Sequence, residues 1–281
     1  MSVVRPTIPG RPNRPVIRRT SSAVAVAVTL AVGMALVGCS AAKAPTASPT
    51  GSATSTARST GLPKPTRTPS APATGSAAPT APISAPATST VATATGSSVA
   101  VASTPGGPTT TTLPNPQSNG SPQVFHVVGQ QDGWVHVALA QRPNGSTGWV
   151  RSSAVTLATT PYALVATTEA NTLVLYKDGT AQQTYSVATG TGGTPTPHGS
   201  FFLTELLAPT NAGYGPYAYG LSAFSDVLNS FGGGPGQIGL HGTDDASSIG
   251  TAASHGCIRM HNADISALAK LLPLGTPVQV R

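Results

Sequence analysis

Two short stretches near the C-terminal end of the chain combine the residue types needed for nucleophilic chemistry. Cys257 is the only cysteine in the second half of the sequence, and His241 and His255 precede it by sixteen and two residues. A cysteine attacks a carbonyl carbon as its thiolate, so it needs a neighbouring imidazole or another positive field to lower its thiol pKa from about 8.5. The residues therefore predict a thiol nucleophile that His241 or His255 activates.

The neighbours of this cysteine predict how charge would be stabilised around it. Gly256 leaves the backbone uncrowded, so the amides of Gly256 and Cys257 can face a developing oxyanion. Arg259 supplies a fixed cation whose planar guanidinium can hold a substrate carboxylate through two hydrogen bonds. The set favours a reaction on a carbonyl of a carboxylate-bearing substrate.

Other interpretations of the same residues remain open at this point. Cys257 is an inert buried thiol in one of them, and in another Arg259 merely pairs with the carboxylate of Asp264. A zinc site is a further alternative, because four side chains have suitable types: His241, His255, Cys257 and His261. That site would place His255, Cys257 and His261 on one irregular segment and leave Arg259 without a role, so no metal is expected. His261 is expected at the surface.

The region from residue 161 onward is predicted to be one mainly β domain with a single helix. Apolar patterns and turn signals predict strands at residues 162–167, 172–176, 183–188, 200–203, 217–221, 237–241 and 278–280. The helix is expected to begin with Asn262 as its N-cap and to end before Pro273. Its buried stripe is predicted to consist of Ile265, Leu268 and Leu272. About 120 residues of this kind suffice for a single core.

Two glycine-rich stretches, at residues 190–193 and 232–236, are predicted to be loops. Neither has the spacing or the following helix of a phosphate-binding loop. The second lies between the strands predicted at 217–221 and 237–241. We therefore regard it as a candidate mobile wall of the site.

A small β module is predicted ahead of this domain, at residues 122–158. Strands at 124–128 and 134–139 flank an Asp-Gly turn, and a third strand is expected at 148–151. The run 124–157 resembles a bacterial SH3-like module. Trp134 and Trp149 are expected in its core, with a ligand platform as the alternative, and His126 and His136 are expected to be structural.

Residues 39–121 are predicted to form a disordered tether. From residue 40 onward they are almost entirely Ala, Ser, Thr, Pro and Gly, with no acidic or aromatic residue and no apolar periodicity. Such a segment does not bury enough apolar surface to offset the entropy of ordering it. About 80 residues of flexible chain span roughly 50 Å, enough to hold a domain away from a membrane.

Residues 1–38 are predicted to be the export signal of a lipoprotein. Five arginines precede fifteen uncharged, mostly apolar residues at 23–37, a stretch that is short for a helix across a hydrocarbon core of about 30 Å. The segment ends in Leu36-Val37-Gly38-Cys39, which resembles a bacterial lipobox and implies acylation of Cys39. Cys257 would then be the only free thiol of an exported protein, and the Arg18-Arg19 pair leaves the export route open.

The formal net charge of +7 originates in the leader and the tether. Nine of the fifteen basic residues lie within the first 67 positions, whereas residues 121–281 carry six basic and eight acidic residues. Because the part expected to fold is slightly acidic, no surface for nucleic acid is expected.

Together, the residues around Cys257 resemble the signature of the L,D-transpeptidase catalytic domain, the YkuD family. The resemblance rests on segments that match in order and spacing: His241-Gly242-Thr243, Ser248-Ile249-Gly250, residues 254–260 and Asn262. It extends over residues 162–281 and includes Gly190 and a Thr-Pro-x-Gly turn at 196–199. It implies a YkuD-type β-sandwich for the domain at residues 161–281.

The resemblance also implies roles for individual residues. Cys257 is the implied nucleophile and His241 its base, and the backbone carbonyl of Gly242 orients that histidine. His255, whose counterpart varies among family members, is a weaker partner of the thiol. No cofactor is implied, because a thiol performs this chemistry without one.

The implied reaction is acyl transfer in peptidoglycan. Cys257 would attack the carbonyl of the third residue of a donor tetrapeptide stem and expel the terminal D-alanine. The amine of an acceptor stem would then take the acyl group and form a 3→3 cross-link, whereas water would make the site an L,D-carboxypeptidase. The implied substrate contacts are Arg259 and Ser254.

Two further classes of protein serve as alternatives. A non-catalytic wall-binding lipoprotein is disfavoured because His241, Cys257 and Arg259 are all present. A sortase would need its arginine well downstream of its cysteine. We expect a monomeric enzyme at the outer face of the cytoplasmic membrane or in the cell envelope, anchored by lipid at Cys39.

Overall fold

The computed structural model describes residues 84–281 of the chain. The predicted leader at 1–38, the lipidation residue Cys39 and the tether as far as residue 83 lie outside the described residues. The described residues belong to one compact unit. Two large β-sheets make up most of it.

The first sheet is built from seven antiparallel strands. They are β1 (Ser89–Ala94), β2 (Ser98–Ala102), β3 (Thr109–Pro114), β4 (Val124–Gln131), β5 (Trp134–Ala138), β6 (Thr147–Arg151) and β7 (Val155–Thr160). Their order across the sheet is β3-β2-β6-β5-β4-β1-β7. Four fully buried side chains form the centre of its core: Phe125, Val135, Val137 and Val150.

The tether prediction is wrong for its last part, since β1, β2 and β3 lie between residues 89 and 114. In β2, Val99 and Val101 are buried whereas Ser98 and Ala100 are exposed. β-branched Val and Thr fit a half-buried pleated strand. These strands need few large apolar residues because β4, β5 and β6 supply them to the shared core. The folded unit is therefore larger than the module predicted at 122–158.

The two tryptophans of this sheet lie outside its core, contrary to expectation. Both are half-buried on the face opposite the core valines. The ring of Trp149 stacks on His136 with centroids 4.5 Å apart. The guanidinium of Arg151 lies 4.6 Å from the ring centroid of Trp134. Alternation along β5 and β6 puts these side chains together, because each tryptophan neighbours a buried valine.

The second sheet carries eight strands. They are β8 (Tyr162–Thr167), β9 (Thr172–Lys177), β10 (Thr180–Ser186), β12 (Gly199–Leu207), β13 (Ala218–Phe224), β14 (Gln237–His241), β16 (Ile258–Arg259) and β17 (Pro277–Val280). Their order is β10-β9-β8-β17-β12-β13-β14-β16. Two further strands, β11 (Thr189–Gly190) and β15 (Ala252–Ser254), pair in parallel. All seven strands predicted from the sequence are present, and those at 162–167 and 237–241 agree in both bounds.

Residues 84–281 contain one α-helix, α1 (Asn262–Leu271). Its predicted stripe is confirmed, because Ile265, Leu268 and Leu272 are buried in the same core as side chains from β10 and β16. Since β10 and β16 are the two ends of the strand order, the sheet folds over on itself around one core. The mainly β fold with one helix is therefore confirmed. No helix of the described residues is long and apolar enough to cross a membrane.

The predicted N-cap of α1 is wrong by one residue. His261 is the N-cap, without a capping side-chain hydrogen bond, and Asn262 is the first helical residue. The side chain of Asn262 has a different partner, because its Oδ1 accepts a 2.9 Å hydrogen bond from the Thr243 amide. Tertiary structure thus diverts this side chain from the helix to a loop beside β14.

The two sheets contact each other directly. Gln117 Nε2 donates a 3.1 Å hydrogen bond to the Thr204 carbonyl. The outer face of β8 and β9 is also buried, with Ala85 packed against it. A cavity of about 390 Å³ between the sheets is lined in part by His126. None of the predicted catalytic residues lines this cavity.

Candidate active site

Parallel pairing of β14 with β16 brings the two predicted catalytic stretches together. Leu240 pairs with Ile258 and His241 pairs with Arg259. The Met260 amide continues this pairing with a 2.9 Å hydrogen bond to the His241 carbonyl. Side chains two residues apart share one face of a strand. His241 therefore lies on the same side as Cys257 and Arg259.

Gly239 borders both the thiol and the imidazole. Its amide donates a 3.3 Å hydrogen bond to Cys257 Sγ. A Cβ on Gly239 would lie 3.5 Å from His241 Cδ2 and 3.8 Å from Cys257 Sγ. The two side chains thus adjoin the same small space above β14. Sequence reasoning missed this residue, whose only signal was its spacing of two from His241.

His241 is buried and held in one tautomer by the backbone. Its Nδ1 lies 2.6 Å from the Gly242 carbonyl. Because a carbonyl only accepts hydrogen bonds, Nδ1 carries the proton and Nε2 carries the lone pair. Burial lowers the pKa of His241 to about 4; the carbonyl of Gly242 opposes this shift and Arg259 adds to it. The imidazole is therefore neutral at pH 7 and can accept a proton at Nε2.

The turn at residues 241–243 is fixed by close approach of three segments. Asn262 Oδ1 accepts from the Thr243 amide. A side chain on Gly242 would collide with Asn262 Oδ1 and come within 3.1 Å of the Gly215 Cα. Only glycine fits between α1 and the loop before β13, so the carbonyl that orients His241 depends on this contact.

Cys257 is a half-buried free thiol. Burial raises its pKa, while the Gly239 amide and the Arg259 guanidinium lower it. Because burial dominates, and because the pKa of His241 is low, the resting pair at pH 7 is a thiol and a neutral imidazole. Attack by this sulfur would therefore require a proton acceptor, and the neutral imidazole of His241 is chemically able to serve as one.

Arg259 faces the same cleft without an anionic partner. Within residues 84–281 no carboxylate pairs with its guanidinium, and its Nε is buried without a hydrogen bond. The proposed pairing with Asp264 is therefore absent. Two backbone hydrogen bonds with Ala188, of 2.9 and 2.8 Å, hold the residue in place. A buried guanidinium nitrogen without a partner fits a site for a carboxylate ligand.

His255 is an exposed residue of the cleft wall. Its ring stacks on Phe231 with centroids 5.1 Å apart and an interplanar angle of 29°. Among the described residues, no hydrogen bond joins it to Cys257. The structure thus separates the two histidines, since only His241 has a ring nitrogen held by the backbone beside the thiol.

Ser254 and Gly256 serve the turn that carries the thiol. Ser254 is 1% exposed, and its Oγ donates to the Cys257 carbonyl at 2.5 Å. The same Oγ accepts a 3.0 Å hydrogen bond from the Gly256 amide. In this structure the Ser254 hydroxyl and the Gly256 amide form hydrogen bonds within the turn. The predicted roles of Ser254 in substrate binding and of the Gly256 amide at an oxyanion stay predictions. The role of the Cys257 amide stays a prediction.

Sequence reasoning missed the wall opposite the thiol. The ring centroid of Tyr214 lies 4.7 Å from that of His241. Asn211 Oδ1 supports the turn before it by accepting a 2.9 Å hydrogen bond from the Gly213 amide. With His241, Cys257 and Arg259, these residues line a cleft of about 300 Å³. They belong to a single 3₁₀ turn (Ala212–Tyr214) and its N-cap Asn211. Because one turn is too short to show a periodic apolar pattern, the sequence analysis had no periodicity from which to find them.

The four residues considered as zinc ligands do not converge. His241 and Cys257 face the cleft, whereas His261 is exposed at the start of α1. In the described part of the chain, no three His, Cys, Asp or Glu side chains form a group suited to a metal ion.

Comparison with known proteins gives consistent matches over the second sheet. The family model of the L,D-transpeptidase catalytic domain, YkuD, matches residues 160–280. The Bacillus licheniformis protein YkuD, which is named as an L,D-transpeptidase, is 36% identical over 122 residues, or 43% of this chain and 67% of the relative. YqjB of Bacillus subtilis strain 168, named in the same way, is 33% identical over 125 residues, or 43% of this chain and 70% of the relative.

Solved structures show a weaker similarity. The crystal structure of an L,D-transpeptidase from Mycobacterium tuberculosis H37Rv has a TM-score of 0.37 and 19% identity. The match covers 50% of this chain and 74% of that one.

Proposed function

Because the chain belongs to the L,D-transpeptidase family, we propose that it forms 3→3 cross-links in peptidoglycan through an acyl-enzyme at Cys257. The observation that carries the proposal is the set of groups in one cleft. His241 is neutral with its lone pair on Nε2, the Gly239 amide donates to the Cys257 sulfur, and the buried Nε of Arg259 has no hydrogen-bond partner among residues 84–281. These are a base, a stabilised nucleophile and an anion contact.

The first half-reaction is acylation of Cys257. His241 Nε2 takes the thiol proton while Sγ attacks the carbonyl of the third residue of a donor tetrapeptide. The Gly239 amide and Arg259 favour the negative charge on sulfur. The tetrahedral adduct collapses, the carbon–nitrogen bond breaks, and the imidazolium returns its proton to the departing D-alanine amine. A thioester remains on Cys257.

The second half-reaction regenerates the thiol. The side-chain amine of an acceptor stem attacks the thioester and loses a proton to His241 Nε2. The sulfur leaves as a thiolate and is reprotonated by the imidazolium. Water in place of the amine gives hydrolysis, so the same residues would support L,D-carboxypeptidase activity.

Arg259 is proposed to bind a carboxylate of the stem peptide. Its buried Nε without a partner and its backbone hydrogen bonds with Ala188 provide a fixed cation. The terminal D-alanine of a donor tetrapeptide carries a free carboxylate. Bidentate pairing would orient the donor so that its third carbonyl meets Sγ.

The setting proposed for this reaction is the outer face of the cytoplasmic membrane. A cleaved leader at residues 1–38, lipid on Cys39 and a tether up to the folded unit would anchor a monomer there. This part of the proposal is supported by sequence alone and is tested by metabolic labelling with an alkyne fatty acid, comparing wild type with Cys39→Ala.

The experiment for the reaction uses the full chain in detergent with purified disaccharide tetrapeptides and mass spectrometry of the products. A cross-linked dimer with loss of D-alanine is expected for wild type and no product for Cys257→Ala. A monomeric tripeptide as the sole product would show that the protein is an L,D-carboxypeptidase and not a transpeptidase. If wild type leaves the substrate unchanged and binds sacculi, the enzyme proposal is refuted and the protein is a wall-binding lipoprotein.

A further inference from the structure

We propose that Arg142 and Asn144 of the first sheet position the active-site loop at residues 225–236 and so determine how the cleft binds its peptide substrate. The inference rests on the proposed function, because it adds two positioning residues to the same site. It makes the first sheet a structural part of the active site.

The loop at residues 225–236 joins β13 to β14 and carries one wall of the cleft. Its tip is a tight turn in which Phe231 and Gly234 exchange two backbone hydrogen bonds of 3.0 Å. Phe231 is 44% exposed and belongs to no buried core cluster, yet its ring stacks on His255 at the cleft. Gly232, Gly233 and Gly236 have positive φ angles. A glycine-rich tip without core packing needs support elsewhere to hold an aromatic ring in place.

Arg142 supplies that support at the base of the loop. Its guanidinium donates to the carbonyl of Ser225 at 2.7 Å, of Leu228 at 2.9 Å and of Pro235 at 3.0 Å. These acceptors come from both ends of the loop, so one side chain joins its start to its end. The flat face of the same guanidinium lies 5.2 Å from the Phe224 ring centroid. No carboxylate among the described residues competes for this guanidinium.

Asn144 fixes the point where β13 becomes the loop. Its Nδ2 donates to the Phe224 carbonyl at 2.7 Å, and its Oδ1 accepts from the Phe224 amide at 2.8 Å. The side chain therefore pairs with Phe224 as a neighbouring strand would. Nδ2 also contacts Asp226 Oδ1 at 3.2 Å. Both residues lie in the turn between β5 and β6, which packs against the loop.

This arrangement differs from ordinary contact between the sheets. Gln117 also spans the two sheets, but its acceptor is the Thr204 carbonyl, outside the loop. Arg142 and Asn144 direct all their cross-sheet hydrogen bonds to Phe224 and to residues of the loop. Loss of Gln117 should weaken contact between the sheets in general, whereas loss of Arg142 should release the loop in particular.

The test compares the full-length variants Arg142→Ala and Asn144→Ala with Gln117→Ala as the matched control. For the first two we expect KM for the tetrapeptide donor to rise about tenfold or more, because several hydrogen bonds that order the loop are lost. The kcat should stay within about threefold and the alkylation rate of Cys257 by iodoacetamide within about twofold, since neither residue touches the thiol. Chymotryptic cleavage after Phe231 should accelerate in both variants, and Gln117→Ala should behave as wild type in every measurement.

A double-mutant cycle shows whether Arg142 acts through the ring of Phe231. Phe231→Ala should raise KM to a similar extent. Combining it with Arg142→Ala should raise KM little further, because both changes remove the contact of the Phe231 ring with the cleft. Additive effects would overturn the inference. If Arg142→Ala does not fold, Arg142→Lys carries the test, since an ammonium does not reach three carbonyls in the geometry of a guanidinium.

The outcomes separate this inference from the proposed function. Equal kinetics and equal cleavage in the Arg142 and Gln117 variants would overturn the positioning role, whether both are impaired or neither is. If wild type is inactive, the proposed function fails. The rate of chymotryptic cleavage after Phe231 still shows whether Arg142 and Asn144 order the loop. Faster cleavage in Arg142→Ala and Asn144→Ala than in Gln117→Ala supports positioning, and equal cleavage in all three variants refutes it.

Discussion

Burial shifts the pKa of His241 and the pKa of Cys257 in opposite directions. Desolvation disfavours charge, so it lowers the pKa of the imidazole and raises that of the thiol. Both groups are therefore neutral before substrate arrives. In the proposed acylation, proton transfer accompanies attack, and groups that favour a charged sulfur, such as the Gly239 amide, would act when charge develops.

Protonation of His241 should make stability depend on pH. Its pKa is about 4 in the folded protein against 6.5 unfolded, so between these values the unfolded state binds more protons and stability falls as the pH falls. From pH 7 to pH 5 this group alone should cost about 2 kcal/mol. Urea unfolding of wild type and His241→Gln at both pH values measures the difference.

The comparison is internally controlled, because every other titrating group is common to both proteins. The pKa of His126 is also lowered by burial, and it cancels in the difference. Equal pH dependence of the two proteins would show that the pKa of His241 does not differ between the folded and the unfolded protein.

Removal of Arg259 should act mainly on substrate binding. Hydrogen bonds to a charged partner contribute about 1.5–3 kcal/mol, so Arg259→Ala is expected to raise KM for the tetrapeptide about 100-fold. Arg259→Lys keeps the charge but not the planar fork and should recover part of the loss. Steady-state kinetics test this, with Arg151→Ala as a control on the outer face of the first sheet. An unchanged KM with a reduced kcat would assign Arg259 to the chemical step instead.

At the scale of elements, the site depends on segments that cross closely rather than on one motif. β14 provides His241, and β16 directly follows Cys257. The first residue of α1, Asn262, holds the turn at residues 241–243 by accepting a hydrogen bond from the Thr243 amide. Gly242 lies where these segments meet the loop before β13. Because Gly242 has no Cβ, the backbone here passes Asn262 Oδ1 and the Gly215 Cα without overlap.

Gly242→Ala should therefore disturb both stability and chemistry. The new methyl group would overlap Asn262 Oδ1, and overpacking of this kind costs about 1–3 kcal/mol. We expect a lower Tm and slower acylation of Cys257 by the tetrapeptide, because His241 loses its orienting carbonyl. Gly192→Ala is the matched control, since a Cβ there meets no atom within 4 Å. If both variants acylate at the wild-type rate, the orientation of His241 does not depend on this turn.

At the scale of the whole molecule, the first sheet is a seven-stranded body in contact with the catalytic part. β1 pairs with both β4 and β7, and β2 pairs with β6. Removing β1, β2 and β3 would expose strand edges and the apolar core beneath them.

A fragment that begins at residue 121 should be much less stable than one that begins at residue 74. We expect the shorter fragment to aggregate or to unfold at least about 10 °C lower, because several buried side chains lose their cover. Differential scanning calorimetry and gel filtration of both fragments test this. Equal melting temperatures would mean that the first three strands contribute nothing to the fold.

Much of this protein was determined by its sequence alone, where the signals are local. The stripe of α1, the strand-forming residues of β8 and β14 and the residue types around Cys257 are set by neighbours along the chain. They sufficed to predict the mainly β fold and the family. The pairing of His241 with the thiol, which the family resemblance implied, stays a prediction. At residues 89–114 the composition wrongly predicted disorder, because small and β-branched residues form strands when other strands supply the large apolar side chains of the core.

Only the tertiary structure decided which distant segments meet. The parallel register of β14 and β16, the Gly239 amide at sulfur and Tyr214 beside His241 depend on contacts between segments far apart in the sequence. The same is true of Arg142 at the base of the loop that carries Phe231. No local pattern encodes such contacts, since each is selected by the packing of the complete core.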